Sequence, residues 1–348
     1  MLAYAPGKLY LAGPYHGSNI SLVSITAAKV GPFDLGTVVV RFALKINPET
    51  AEVFVDATGS DPLPHIVDGI PTHLRQIRIY MNRPEFVLNP TSCEPTSTAS
   101  TVLGSGKDFA SEADDQPITV TSPFQAADCA ALPFKPKLKL SLRGKTNRGG
   151  TPAFRAELTQ RPGEASVGRA QVTLPHSEFL ANAHIRTICT RVQFNAGGGN
   201  GEQCPAGSVY GHARAITPIL SEALQGPVYL RSSEHKLPDL VAALHGAEIN
   251  VDLVGRIDSV NNGQIRNTFE TVPDAPVSKF VLSMDGGNKG LLENSTNLCA
   301  TPHHATAAFT GHNGKVENFK PLLGVKCGKK GKHGKHKGGK RHGHRAAN

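Results

Sequence analysis

Apolar residues along this chain recur at every second position more often than at every third or fourth. Pro136-Lys-Leu-Lys-Leu-Ser-Leu-Arg143 alternates strictly, as does Ala153-Phe-Arg-Ala-Glu-Leu-Thr159 beyond a Gly149-Gly150 turn. A period of two puts one side of a strand in a core and the other in solvent, so these runs predict a hairpin on a half-buried sheet. Residues 165–174 and 207–216 continue the pattern, predicting about five or six strands between 131 and 226, as in an immunoglobulin-like sandwich. Residues 177–188, after Pro175, read as a short helix.

The chain also resembles itself. Tyr10-Leu11 recurs as Tyr229-Leu230, the run at 37–47 as the run at 249–258, and Asn89-Pro-Thr-Ser-Cys93 as Asn294-Ser-Thr-Asn-Leu-Cys299. Landmarks repeated in one order mark an internal duplication. The predicted class is all-β: tandem antiparallel β-sandwich domains with an internal duplication and a disordered basic C-terminal tail. The expected units are 1–130 (first copy), 131–226 (immunoglobulin-like sandwich), 227–327 (second copy) and 328–348 (tail). The second copy opens on a strand pair, residues 207–216 leading into 228–230, whereas the first keeps only 5–11. The expectation is a missing first strand, an exposed edge near residues 8–12, and a C-terminal fragment of a longer exported protein.

Six cysteines, at 93, 129, 189, 204, 299 and 327, include no C-x-x-C and no tight Cys/His cluster, which favours disulfides over zinc. Each copy closes on a second cysteine, so the repeat pairs Cys93 with Cys129 and Cys299 with Cys327, leaving Cys189 for Cys204. With Gly at 36, Pro at 25 and no Trp, the composition suits short strands and many turns. No run of 18 apolar residues predicts a membrane span, and residues 1–7 lack the features of a signal peptide.

Net charge of +9 changes meaning once it is located. Eight of the 37 Lys and Arg stand in the acid-free segment 328–348, and the 29 that remain nearly balance 28 Asp and Glu. The tail's Lys329, Lys330, Lys332, Lys335, Lys337, Lys340, Arg341 and Arg345 are candidate contacts for anionic polymers of the cell envelope. His333, His336, His342 and His344 would bind metal only adventitiously. A specific nucleic-acid domain would carry its charge on a folded face instead.

Five segments resemble a family of uncharacterised, repeat-containing secreted proteins of high-GC actinobacteria. They are Tyr10-Leu-Ala-Gly-Pro-Tyr15, Gly31 to Arg41, Asn89 to Cys93, Cys204-Pro-Ala-Gly-Ser208 and Pro273 to Phe280. The resemblance spans residues 8–327; it implies repeated β-domains and an extracytoplasmic location, and transfers no catalytic residue.

Other motifs read as structure. Gly197-Gly-Gly-Asn-Gly201 lacks the Lys-Ser/Thr of a phosphate loop and sits between two cysteines. His303-His304 has no partner at metal-ligand spacing, and no G-x-S-x-G elbow marks a hydrolase. Asp114-Asp115 reads as a solvated loop, and Asp252 and Asp258 with Arg256 as an ion-paired surface ladder. Tyr15 and Tyr210 are candidates for sugar contacts, and Asn19 and Asn294 match glycosylation sequons. No cofactor and no catalysis are expected. The leading function is a non-catalytic extracytoplasmic structural or surface-display protein. The alternatives are a binding module for glycans or other envelope components, and an unrecognised enzyme.

Overall fold

The alternating runs become strands, paired antiparallel with one exception. A computed structural model describes residues 5–102 and 118–327, apart from 73, 75, 82, 85, 87 and 262. Asp114-Asp115 and the tail residues named above lie outside them.

The first copy is a four-stranded meander of β1 (Gly7–Ala12), β2 (Ile20–Val30), β3 (Phe33–Ile46) and β4 (Val53–Asp56), in that order. Two hairpins follow, β5 (Ile66–Val67) with β6 (Ile70–Pro71), and β7 (Thr96–Val102) with β8 (Ile118–Phe124). The remaining chain supplies β9 (Lys137–Arg143), β10 (Ala153–Thr159), β11 (Val167–Thr173), β12 (Glu178–Leu180), β13 (Val209–Ile216), β14 (Leu224–Arg231) and β15 (Asp239–Gly246). It continues with β16 (Ile249–Val260), β17 (Gln264–Phe269), β18 (Lys279–Met284), β19 (Leu292–Asn294), β20 (Thr306–Gly311), β21 (Val316–Phe319) and β22 (Leu323–Val325).

Twelve of these form one sheet, ordered β21-β20-β11-β17-β16-β15-β14-β13-β18-β10-β9-β22. Its ends meet. The β20·β21 register continues past the strand ends, with Ala305 N donating to Pro321 O at 3.0 Å, His304 bridging Leu322, and Leu323 N donating to His303 O at 2.8 Å. β21 and β22 are therefore one strand interrupted at Pro321, leaving β20 to join β9. Counted that way the ring has eleven staves, an odd number, which cannot alternate in direction all the way round. The parallel seam between β22 and β9 resolves the mismatch. Because β13 pairs with both β14 and β18, the sheet runs through the boundary expected at residue 226. The strands of 131–226 also find partners beyond residue 226, β10 and β13 with β18 and β11 with β17 and β20.

Inward positions of the ring are apolar: Leu140, Leu282, Ala213, Val228, Ala242, Leu253, Ile257 and Phe309 are all buried. Small residues let one side close tightly. At Gly226 an added Cβ would come within 1.8 Å of the Ala243 carbonyl oxygen.

The duplication is visible in register. Tyr10 and Leu11 stand opposite Val23 and Leu22, and Tyr229 and Leu230 stand opposite Val241 and Leu240. β14 to β17 form the same meander as β1 to β4, but inside the ring. Tyr229 and Leu230 are accordingly 8% and 0% exposed, while Tyr10 and Leu11, on the edge strand β1, are 48% and 63% exposed.

The helix expected over residues 177–188 is absent. Glu178–Leu180 instead pairs with Leu292–Asn294 as a small sheet, and a 3-10 turn follows at Asn182–His184. Helix α1 lies later, at Arg191–Asn195, begun by a reciprocal cap in which Gln193 N donates to Thr190 Oγ1 at 3.1 Å and Thr190 N to Gln193 Oε1 at 3.0 Å.

Candidate functional site

Disulfides join Cys93 to Cys129, Cys189 to Cys204 and Cys299 to Cys327, with Cα separations of 5.6, 5.2 and 5.8 Å, the same pairs the repeat indicates. The Cys189–Cys204 loop packs Phe194 over Tyr229, Val241 and Ala243 and so seals the outer side of β14 and β15. Gly197 to Gly201 belongs to this loop, and Gly201 fits only because it lacks a Cβ, which would meet the Tyr229 ring at 2.7 Å.

The outer side of β9, β10, β18 and β13 is different. Register places Lys139, Glu157, Val281 and Arg214 in one row, Ser141, Arg155, Ser283 and His212 in the next, and Lys137, Thr159, Lys279 and Ile216 in a third. With Arg143, these strands present six Lys and Arg against the single carboxylate of Glu157. Glu157 is held by Lys279 at 2.9 Å and Arg155 at 3.4 Å, and these cations keep its carboxyl below the usual range. The imidazoles of His212 and His245 flank a shallow groove of about 710 Å³ beside Arg214. Lys137, Lys139, Arg143 and Arg214 are exposed, so the charge faces solvent.

The opposite flank is neutralised by pairing. Arg169 reaches Glu270 at 2.6 Å, while Asp258 binds Arg256 at 3.0 Å and Arg266 at 3.1 Å. That is the expected ladder, with Arg266 in place of Asp252. Asp252 is instead shielded, its carboxyl pushed up to about 6 by burial, partly offset by Arg231.

The described chain ends just past the edge of this sheet that β9 forms with β22. β22 runs parallel to β9 with Val325 opposite Leu142, so the chain proceeds alongside Arg143 to Lys326 and the bridged Cys327. Eight further cations follow in sequence.

Several residues singled out in the sequence prove to be internal. Tyr210 is buried, its hydroxyl accepting from Arg186 N at 3.1 Å and donating to the His184 carbonyl at 3.2 Å, so it offers no sugar platform. Asn294 is fully buried and donates to the carbonyls of Lys145 and Asn147, so it is no glycan acceptor. Tyr15 is partly accessible, donates its hydroxyl proton to Asp61 and lies under Arg41 at 5.2 Å. Among the described residues no group of three or more His, Cys, Asp or Glu is arranged to hold a metal, and no helix is long and apolar enough to cross a membrane.

One buried acid has no counterpart in the sequence reading. Glu178 is wholly buried opposite Asn294, and among the described residues neither carboxyl oxygen has a partner of hydrogen-bond geometry. Burial raises its pKa from 4.5 to about 8, the neighbouring Ser177 hydroxyl offsetting little. Burial away from water favours the neutral form of this acid.

No protein-family model, curated protein or solved structure matches the chain.

Proposed function

We propose that this is a non-catalytic, extracytoplasmic structural or surface-display protein, held to an anionic polymer of the cell envelope. The basic face of β9, β10, β18 and β13, continued in sequence by the tail, carries the reading. Fixed cations on a rigid sheet attract a polyanion without requiring specific contacts, and each neutralised charge releases a counterion. Three disulfides support the oxidising location, since such bonds persist mainly outside the cytosol.

Cell fractionation tests it. The full chain should stay with the envelope at low salt and leave it at high salt, and a 1–327 chain should elute at lower salt because the face remains while eight cations are lost. Equal recovery of both chains in the medium at low salt would reject the proposal.

A further inference from the structure

The duplication runs further than its landmarks. Residues 76–81 stand before Asn89 as β18 stands before Asn294, with Ile77, Ile79 and Met81 at the positions of Phe280, Leu282 and Met284. The β7·β8 hairpin follows Cys93 as the β20·β21 pair follows Cys299. The first copy thus repeats the order of the second, but its surroundings differ. In the second copy β18 lies between β10 and β13, β14 bonds β13, and both β17 and β20 bond β11, all strands of residues 131–226. Among the described residues the first copy has no such partners: β1, β4 and β7 each pair on one side only, and residues 76–81 belong to no ladder.

Residues 76–81 therefore carry the alternation of a strand without its cover. Ile77, Ile79 and Met81 are each more than half exposed, whereas Leu282 and Met284 at the corresponding positions of β18 are buried. Exposed apolar side chains on a backbone with no ladder partner are a template for one more strand. The second copy shows which strand fits. β10 sets Phe154, Ala156 and Leu158 opposite Met284, Leu282 and Phe280, with Glu157 opposite Val281 and Arg155 opposite Ser283. Carried onto the first copy, that register would bring Phe154, Ala156 and Leu158 against Met81, Ile79 and Ile77. On the other face Glu157 would meet Arg78, where the second copy has neutral Val281, and Arg155 would meet Tyr80. Opposite charges directly across a strand pair, and a guanidinium on an aromatic ring, both add to the fit.

We propose that residues 76–81 accept an antiparallel strand from another polypeptide, one that alternates apolar residues with a cation and an acid in the order found in β10. Backbone pairing supplies the affinity, and Arg78 selects for the acid. The acceptor shares no residue with the basic face, so the two readings fail separately.

A fluorescent synthetic peptide of residues 152–160 is the probe, and its anisotropy is followed on titration with the full chain. Saturable binding is expected, with amide exchange slowed in residues 76–81. Arg78→Glu in the chain, or Glu157→Arg in the peptide, replaces attraction by repulsion and should weaken binding about fivefold. The two changes together should restore it. The peptide variant leaves the chain untouched, so its effect does not depend on how Arg78→Glu folds. Absence of saturable binding, unchanged affinity after either charge reversal, or slowed exchange in β9 and β18 in place of residues 76–81 would overturn the proposal. So would a full chain that dimerises through residues 76–81 without peptide, since the occupant would then be another molecule of this chain.

Discussion

Glu178 shows what one side chain imposes on the molecule. With a pKa of 4.5 when exposed and about 8 when folded, it binds more protons in the folded state across that interval. Its contribution is complete below the lower value and is lost as pH rises through the upper one, with a slope of at most about 1.4 kcal/mol per pH unit. Urea unfolding between pH 5 and 9 should show stability falling with pH in wild type, and a flatter profile in Glu178→Gln. Identical profiles would place the carboxyl in solvent. Asp274, unlike Glu178, has several hydrogen-bond partners. It accepts from Thr91 N at 2.7 Å, Thr91 Oγ1 at 2.6 Å and Ser92 N at 3.1 Å, and so joins two of the sequence segments singled out for their resemblance. Asp274→Ala should cost about 2 kcal/mol, typical of hydrogen bonds to a charged group, and speed amide exchange at Thr91 and Ser92. Neither role was legible in the sequence. Glu178 lies in a stretch that reads as a helix, and Asp274 meets a partner 183 residues away.

At the scale of elements, what could be read was what is local. The β9·β10 hairpin follows directly from two alternating runs and a glycine turn, and its register pairs Leu140 with Ala156 as alternation requires. The cap at Thr190 and Gln193 is also a local signal, a Thr followed three residues later by a Gln. β12 could not be foreseen, because Glu178–Leu180 is a strand only through Leu292–Asn294. The duplicated meanders separate pattern from context. β14 has β13 on one side and β15 on the other, while among the described residues β1 is bonded only to β2. Amide exchange should therefore be slow throughout β14 and fast at alternate residues of β1, and uniform protection of β1 would mean that another chain covers it. The 15-residue Cys189–Cys204 separation should contribute about 3 kcal/mol on the chain-entropy account. Replacing both cysteines by serine should lower urea stability by that order and expose Tyr229 to solvent quenching.

For the whole molecule, composition gave a true sum and a misleading picture. The folded part is nearly neutral, yet its cations are not evenly spread. Alternation alone puts Lys137, Lys139 and Arg143 on one side of β9, but only the order β9-β10-β18-β13 brings Arg155, Lys279 and Arg214 beside them. Ring closure was equally hidden, since it depends on a parallel seam between strands at opposite ends of this region. The all-β class, by contrast, was plain from the period-two runs.

We propose that the basic face and the tail act together as one polyanion-binding surface. Fluorescence anisotropy with inorganic polyphosphate, measured against salt concentration, tests it on the full chain, the 1–327 chain and the Lys139→Glu/Arg214→Glu variant. For a single-stranded polyelectrolyte, each lost contact should lower the slope of log affinity against log salt by about 0.7. Both altered chains should show a reduced slope, and wild type the steepest. A slope unchanged by Lys139→Glu/Arg214→Glu would contradict it.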